Sequence, residues 1–262
     1  MSVAIEKVVS IIELLAPKEL AFEWDNTGLL LRCGDNVSNV LIALDVTQQI
    51  VDEAVARDCD MILSHHPLVM EAMTCLNVQS YNDSVVMSLI KNDISVYCAH
   101  TSYDKAVGGI NDILAKKLGL SNVEIISGDG EDLMRVGELA KSCSPSQFYE
   151  LVSKAVGVEH LKVSDTQIDA ISKVAVVGGS GGDLLQAAKN AGAQALITGE
   201  AKHHHHLVAK GSDILLIEAG HYETEKFFVE EIFSGLQERV NEVQLLLGLK
   251  MAEQGSTPYK II

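Results

Sequence analysis

Cations and aromatic rings are scarce in this 262-residue sequence. Lys and Arg total 20 against 36 Asp and Glu, a formal net charge of −16. Binding to long nucleic acid draws most of its affinity from phosphate neutralisation by a basic face. The deficit therefore excludes a nucleic-acid polymer as the favoured partner. A local pocket or a bound metal ion can still reverse the field over a small area. Only four arginines occur, Arg32, Arg57, Arg135 and Arg239, so there is no Arg-rich clamp for a triphosphate. Aromatics make up 5% and apolar residues 47%. That balance excludes disorder and implies a core of Val, Ile, Leu and Ala.

Disulfide and membrane signals are also missing. The five cysteines, Cys33, Cys59, Cys75, Cys98 and Cys143, are odd in number and widely spaced, with no CxxC. That pattern fits reduced thiols in a cytoplasmic protein rather than a disulfide framework. The start, MSVAIEKVVSIIELLAPKEL, lacks a basic leader, and Glu6 and Glu13 interrupt its apolar pattern. No stretch approaches the roughly 20 apolar residues that span a bilayer. The expectation is a soluble, cytoplasmic protein with no membrane partner.

What is present is a run of short apolar strands alternating with helices. Val3, Val8, Ile11, Ile12 and Leu15 mark an amphipathic helix ending near Pro17. Strands are predicted at 40–44, 61–64 and 94–99, with helices near 50–55, 83–91 and 109–118. After a less regular stretch, a Ser-capped helix is predicted at 144–157 and a strand at 160–165. Strands at 173–178, 195–199 and 213–220 then alternate with helices at 183–191, 202–210 and 222–239. A final strand is expected at 242–249. Continuous apolar strands of this kind belong to mostly parallel sheets covered by helices.

The two parts repeat. An offset of 134 places Val40 on Val174, Ala54 on Ala188, Ile62 on Leu196 and Ser64 on Thr198. An offset of 120 places Ile94 on Ile214, Ala99 on Ala219 and Thr101 on His221. The expected α/β fold is thus two similar halves, 1–125 and 126–262. In open α/β sheets ligands gather at the carboxyl ends of strands, which puts the site there, between the halves.

Three segments at such ends carry metal-type donors. SHHPL (64–68) offers His65 and His66, which face one ligand only if the strand has ended and turned; two hydrogen-bonded loop histidines are the plainer alternative. HTSYD (100–104) offers His100 and Asp104. The first also reads as a buried, hydrogen-bonded histidine and the second as a helix cap. GHYETE (220–225) places His221 and Glu225 four apart, on one helical face, where a surface salt bridge is the alternative. His65, His66, Asp104, His221 and Glu225 make a nitrogen and oxygen set without thiolate, suited to Zn²⁺, Fe²⁺, Mn²⁺ or Ni²⁺. Five protein donors exceed the need of one open site, so two divalent ions per chain are expected, with Glu225 or a water bridging them.

FEWDNTGLLL (22–31), LSHHPL (63–68), AHTSYD (99–104), VVGGSGGDLL (176–185), TGEAKHH (198–204), IEAGHYETE (217–225) and TPYKII (257–262) together resemble the NIF-three-like family. Its members are also labelled GTP cyclohydrolase 1 type 2 homologues. The resemblance implies two α/β halves around a dinuclear centre and the same five ligands. It also implies a compact form without an inserted middle domain, and a toroidal homohexamer. Ser102 and Glu200 depart from the family's usual Asn and Asp beside the ligands. In KHHHH (202–206), His205 and His206 read as a solvated helix face. His204 matches a family histidine near the metals, a candidate supporting or substrate-contacting residue. VVGGSGG (176–182) lacks a full GxGxxG and the Walker lysine, so it reads as a tight turn packed closely on its helix. WDN (24–26) reads as structural or pocket-lining.

The expected activity is a dinuclear-metal-dependent hydrolase acting on a small, nucleotide-like substrate. The family label implies ring opening of GTP at C8. A non-enzymatic metal-binding or regulatory protein is the alternative.

Overall fold

The computed structural model describes residues 2–126, 131–255 and 257–260, so Ile261 and Ile262 of the C-terminal motif lie outside the described residues. The chain forms two compact units, Met1–Ala106 with Phe227–Ile262, and Val107–Lys226. This division does not fall at 125/126. The reason lies in the C-terminal segment. Helix Phe228–Glu242 buries Phe228, Ile232, Leu236 and Val240 and packs against helix Ile5–Glu13. Strand Gly248–Met251 then joins the first sheet beside Asn39–Ala43.

The first unit holds a five-stranded sheet in the order Gly248–Met251, Asn39–Ala43, Met61–Ser64, Ser95–Cys98, Gly28–Leu31. The first four strands are parallel; the edge strand Gly28–Leu31 runs antiparallel. Leu41, Ile62 and Val96 pack on Ile50, Val51 and Ala54 of helix Gln48–Ala56 and on Val85 and Leu89 of helix Tyr81–Lys91. Each of the Val, Leu and Ile side chains contributes roughly 1.5–3 kcal/mol by burial. Glu53 fastens the returning C-terminus. Its carboxylate accepts from the Glu253 and Gln254 amides at 2.9 and 2.8 Å.

The second unit holds a six-stranded sheet in the order Ser121–Ile125, Arg135–Cys143, Ile171–Val177, Ala195–Thr198, Leu215–Glu218, Lys162–Val163. The Ile171–Val177, Ala195–Thr198 and Leu215–Glu218 strands are parallel to one another, and the outer pairings are antiparallel. Ser144 caps helix Pro145–Val156, with its Oγ accepting from Gln147 N at 3.4 Å. The fold is thus mixed α/β. Parallel pairing holds at the sheet centres and at the Gly248–Met251 edge, while the Gly28–Leu31 edge and both margins of the second sheet reverse direction. Among the described residues no helix is long and apolar enough to cross a membrane.

Candidate metal centre

Strand Met61–Ser64 ends one residue before His65. The His65 and His66 amides both bond to Leu44 O, at 3.2 and 2.9 Å, so the chain turns immediately after the strand. Ser64 Oγ donates to His66 O at 2.8 Å and holds the turn. As a result two successive rings share one side, with centroids 5.0 Å apart. His65 is fully buried. Its Nδ1 lies 3.0 Å from Ala99 O. A carbonyl only accepts, so Nδ1 carries the hydrogen and a neutral ring presents a bare Nε2. That Nε2 lies 3.6 Å from Asp104 Oδ1 on the short helix Thr101–Lys105. His66 repeats the logic: Nδ1 donates to Asp45 Oδ1 at 2.7 Å, which puts the ring's lone pair on Nε2. A carboxylate on the far nitrogen is the usual support of a metal-bound histidine.

His100 joins this group. One ligand atom from each of His65, His66 and His100 lies within 4.8 Å of the others. Its Nδ1 donates to Asp25 Oδ1 at 2.8 Å, and Asp25 also accepts from Thr101 N at 3.1 Å and from Thr101 Oγ1 at 2.5 Å. Burial alone would raise the Asp25 carboxyl. The hydrogen bonds from His100 and Thr101 outweigh it and hold the group below the usual aspartate range. The hydrogen-bonded reading of His100 and its place beside His65 and His66 are therefore both true. The central Asp of WDN is the group that fixes this ring, and Asp45 does the same for His66. Neither partner stands out in the sequence, because each lies far from its histidine along the chain.

In the second unit, helix His221–Glu225 follows strand Leu215–Glu218 after Ala219 and Gly220. His221 Nε2 lies 3.0 Å from Glu225 Oε2, and His221 Nδ1 lies 3.4 Å from Glu200 Oε1. With the hydrogen on Nδ1 toward Glu200, two lone-pair acceptors meet at Nε2 and Glu225. A proton or a metal ion between them relieves that repulsion. Gly179, at φ +58°, packs against the same pair: a Cβ there would lie 3.3 Å from His221 Nε2 and collide with the Glu225 carboxylate. The glycine-rich turn thus closes on the two donors by backbone approach, the close packing expected of it. Thr224 Oγ1 accepts from Gly179 N at 3.1 Å and ties turn to helix.

The histidine run behaves differently. His204 is exposed, and its ring meets that of His205 at 4.2 Å between centroids. His205 is buried rather than solvated. Its Nδ1 accepts from Lys202 N at 3.1 Å, so its hydrogen sits on Nε2, which donates to Asp183 Oδ1 at 2.9 Å. His206 is likewise drawn in, with Nε2 3.2 Å from Glu218 Oε2. The four-histidine run therefore packs two of its rings instead of displaying them.

The donors at the strand ends are borderline nitrogen and hard oxygen atoms, and the His65 and His66 tautomers put the lone pair on Nε2. They fit divalent transition-metal ions.

Comparison with known proteins follows this geometry. The chain is 31% identical over 263 residues to a "GTP cyclohydrolase 1 type 2 homolog" of Clostridium perfringens, covering 97% of this chain and 98% of that one. It is 31% identical to "NGG1-interacting factor 3" of Saccharomyces cerevisiae, covering 91% and 92%. Its fold superposes on a solved Bacillus cereus protein related to NIF3 with a TM-score of 0.90, at 24% identity and 98% of each chain. A Staphylococcus aureus structure also superposes with a TM-score of 0.90, at 25% identity and 99% of each chain. The profile built on Duf34/NIF3 (NGG1p interacting factor 3) proteins runs from residue 3 to 258, through all the segments that carry these donors, and the chain belongs to that family.

Proposed function

We propose that the protein is a dinuclear-metal-dependent hydrolase of the cytoplasm, acting on a small nucleotide-like substrate. His65, His66, Asp104, His221 and Glu225 hold two divalent ions, each Zn²⁺, Fe²⁺, Mn²⁺ or Ni²⁺. When bound, such ions acidify water and stabilise developing oxyanion charge. The observation that carries the reading is the tautomer of His65 and His66, each donating through Nδ1 to an oxygen and directing Nε2 away from it. The chain's own contribution is orientation. Ala99 O and Asp45 fix the two rings, and Glu200 lies against Nδ1 of His221. His204, exposed on its helix, is kept as a supporting or substrate-contacting residue. The name carried by bacterial relatives suggests GTP as a first substrate to try.

Two further parts of the reading have support. Duplication of the α/β halves is supported by strand register. Val40 pairs with Met61 and Val174 with Ala195, both shifted by 134. Met61 pairs with Ser95 and Ala195 with Leu215, shifted by 134 and 120. A hexameric ring is proposed from the family resemblance. Light scattering should then give six times 28.2 kDa, about 169 kDa; a monomer at micromolar concentration rejects the ring.

The function is tested with full-length protein reconstituted separately with each ion and incubated with GTP and simple phosphoesters. Mass spectrometry should find a hydrolysed product only in loaded samples, and Glu225→Gln should lose turnover and bound metal together. If every substrate stays intact while metal binds tightly, the hydrolase reading fails and a metal-binding regulatory role replaces it.

A further inference from the structure

The first unit contains a cavity of about 630 Å³ whose walls include Lys18, Trp24, Asn26, Leu30, Met70 and Met73. None of these residues has a part in holding metal. Trp24 is the sole tryptophan of the chain, and it is 64% exposed. One side of its indole is occupied: Phe22 stacks on it at 5.4 Å and 16°. Lys105 Nζ lies 4.3 Å from the Phe22 ring centre and stiffens the base of that stack. The indole is thus a shelf held in place at the cavity rim. Its edge meets His100 at 6.5 Å between ring centres, so the shelf adjoins the histidine cluster.

The other walls define what the shelf receives: besides Lys18 they carry two carboxylates, Asp25, which is engaged by His100 and Thr101, and Glu71. Leu30, Met70 and Met73 supply apolar and polarisable contact, and thioethers pack well on aromatic edges. Asn26 Nδ2 donates to Val69 O, joining the two sides of the cavity and leaving its carboxamide oxygen as an acceptor. Among the described residues no carboxylate lies within 4.0 Å of Lys18 Nζ, although the protein carries a large excess of acids. An apolar chain would use neither this cation nor the amide. A flat ring with polar edges and an anionic substituent uses the shelf, the amide and the cation together.

We propose that this cavity binds the planar heteroaromatic ring of an anionic ligand, stacked on Trp24 with its charge toward Lys18. As the substrate pocket of the neighbouring centre it rests on the hydrolase reading, yet binding can be read without turnover. Because Trp24 is the only tryptophan, fluorescence excited beyond the absorption of the six tyrosines has one source.

Metal-free and metal-loaded full-length protein would be titrated with guanosine and adenosine 5′-monophosphate. Ribose 5-phosphate serves as the ring-free control and octanoate as the apolar-chain control. Saturable quenching by the nucleotides alone is expected in both protein forms. By calorimetry Trp24→Ala should bind them about ten-fold more weakly or worse, while Trp24→Phe keeps most of the affinity. Lys18→Gln should weaken the nucleotides but not the free nucleosides. Trp24 is exposed and its truncation leaves the buried core intact, which a thermal melt of Trp24→Ala verifies. The proposal is overturned if neither nucleotide quenches, if ribose 5-phosphate or octanoate quenches as well, or if Trp24→Ala binds normally. Quenching without turnover keeps the cavity and removes the hydrolase; turnover without quenching does the reverse.

Discussion

His65, His66 and His100 in the first unit, and His205 in the second, each have a ring nitrogen on a fixed partner. In the first unit the partner is always an oxygen acceptor, Ala99 O, Asp45 or Asp25, and the nitrogen is always Nδ1. The hydrogen is consumed there and Nε2 is left as a lone pair. In His205 the Nδ1 partner is a backbone N–H, so the hydrogen is forced onto Nε2 and spent on Asp183. Asp183, His204 and His205 also place one donor atom each within 4.8 Å of the others. Proximity alone would rank the two groups together. Tautomer separates them: metal binding at His205 Nε2 would move the hydrogen to Nδ1, against the Lys202 amide. One cluster is able to hold a metal ion with its tautomers unchanged; in the other, both nitrogens of His205 are spent at the start of its helix.

A pair of substitutions puts the largest test on this contrast. His66→Ala should lower metal content per chain by elemental analysis, with little loss of stability because its ring is partly exposed. His205→Ala should leave metal content unchanged. It should instead lower stability to denaturant by about 1–2 kcal/mol, the cost of a lost helix-end partner. If His205→Ala strips metal, or His66→Ala retains it in full, the distinction collapses.

Why one cluster and not the other was legible in sequence follows from the same physics. His65 and His66 sit where an apolar run ends, and His221 and Glu225 have a spacing that a helix converts into proximity. Both signals are local, and the structure puts His221 and Glu225 on one short helix, 3.0 Å apart. The central strands were readable because each is a continuous buried run such as Met61–Ser64. The edge strand Gly28–Leu31 and the inner strand Arg135–Cys143 were not, since neither is buried along its whole length. The C-terminal return was hidden for a different reason: Gly248–Met251 pairs with residues some two hundred positions away. Asp45 and Asp25, the acids that set the tautomers of His66 and His100, and Asp183, which takes the His205 hydrogen, are invisible to any local rule. His205 was expected in solvent because four histidines in a row look polar, yet its ring accepts the Lys202 amide and is buried.

The smallest expected effect concerns the acid behind His100. Burial pushes the Asp25 carboxyl up, and the bonds from His100 and Thr101 pull it further down, so its net position in the folded protein is below the ordinary aspartate value. A carboxylate held low when folded stabilises the native state above its unfolded pKa, about 3.9. That stability is lost as pH falls through the lower folded value. Asp25→Asn has no such titration, and its amide cannot accept at both oxygens. In urea melts of metal-free protein the wild type should exceed the variant by about 1 kcal/mol near neutral pH. The gap should stay level down to about pH 5 and narrow progressively below about pH 4. A gap that instead widens on acidification would mean that Asp25 is held above its ordinary value. His100 would then have lost the anionic partner that sets its tautomer, and the likeness between His100 and His66 would break.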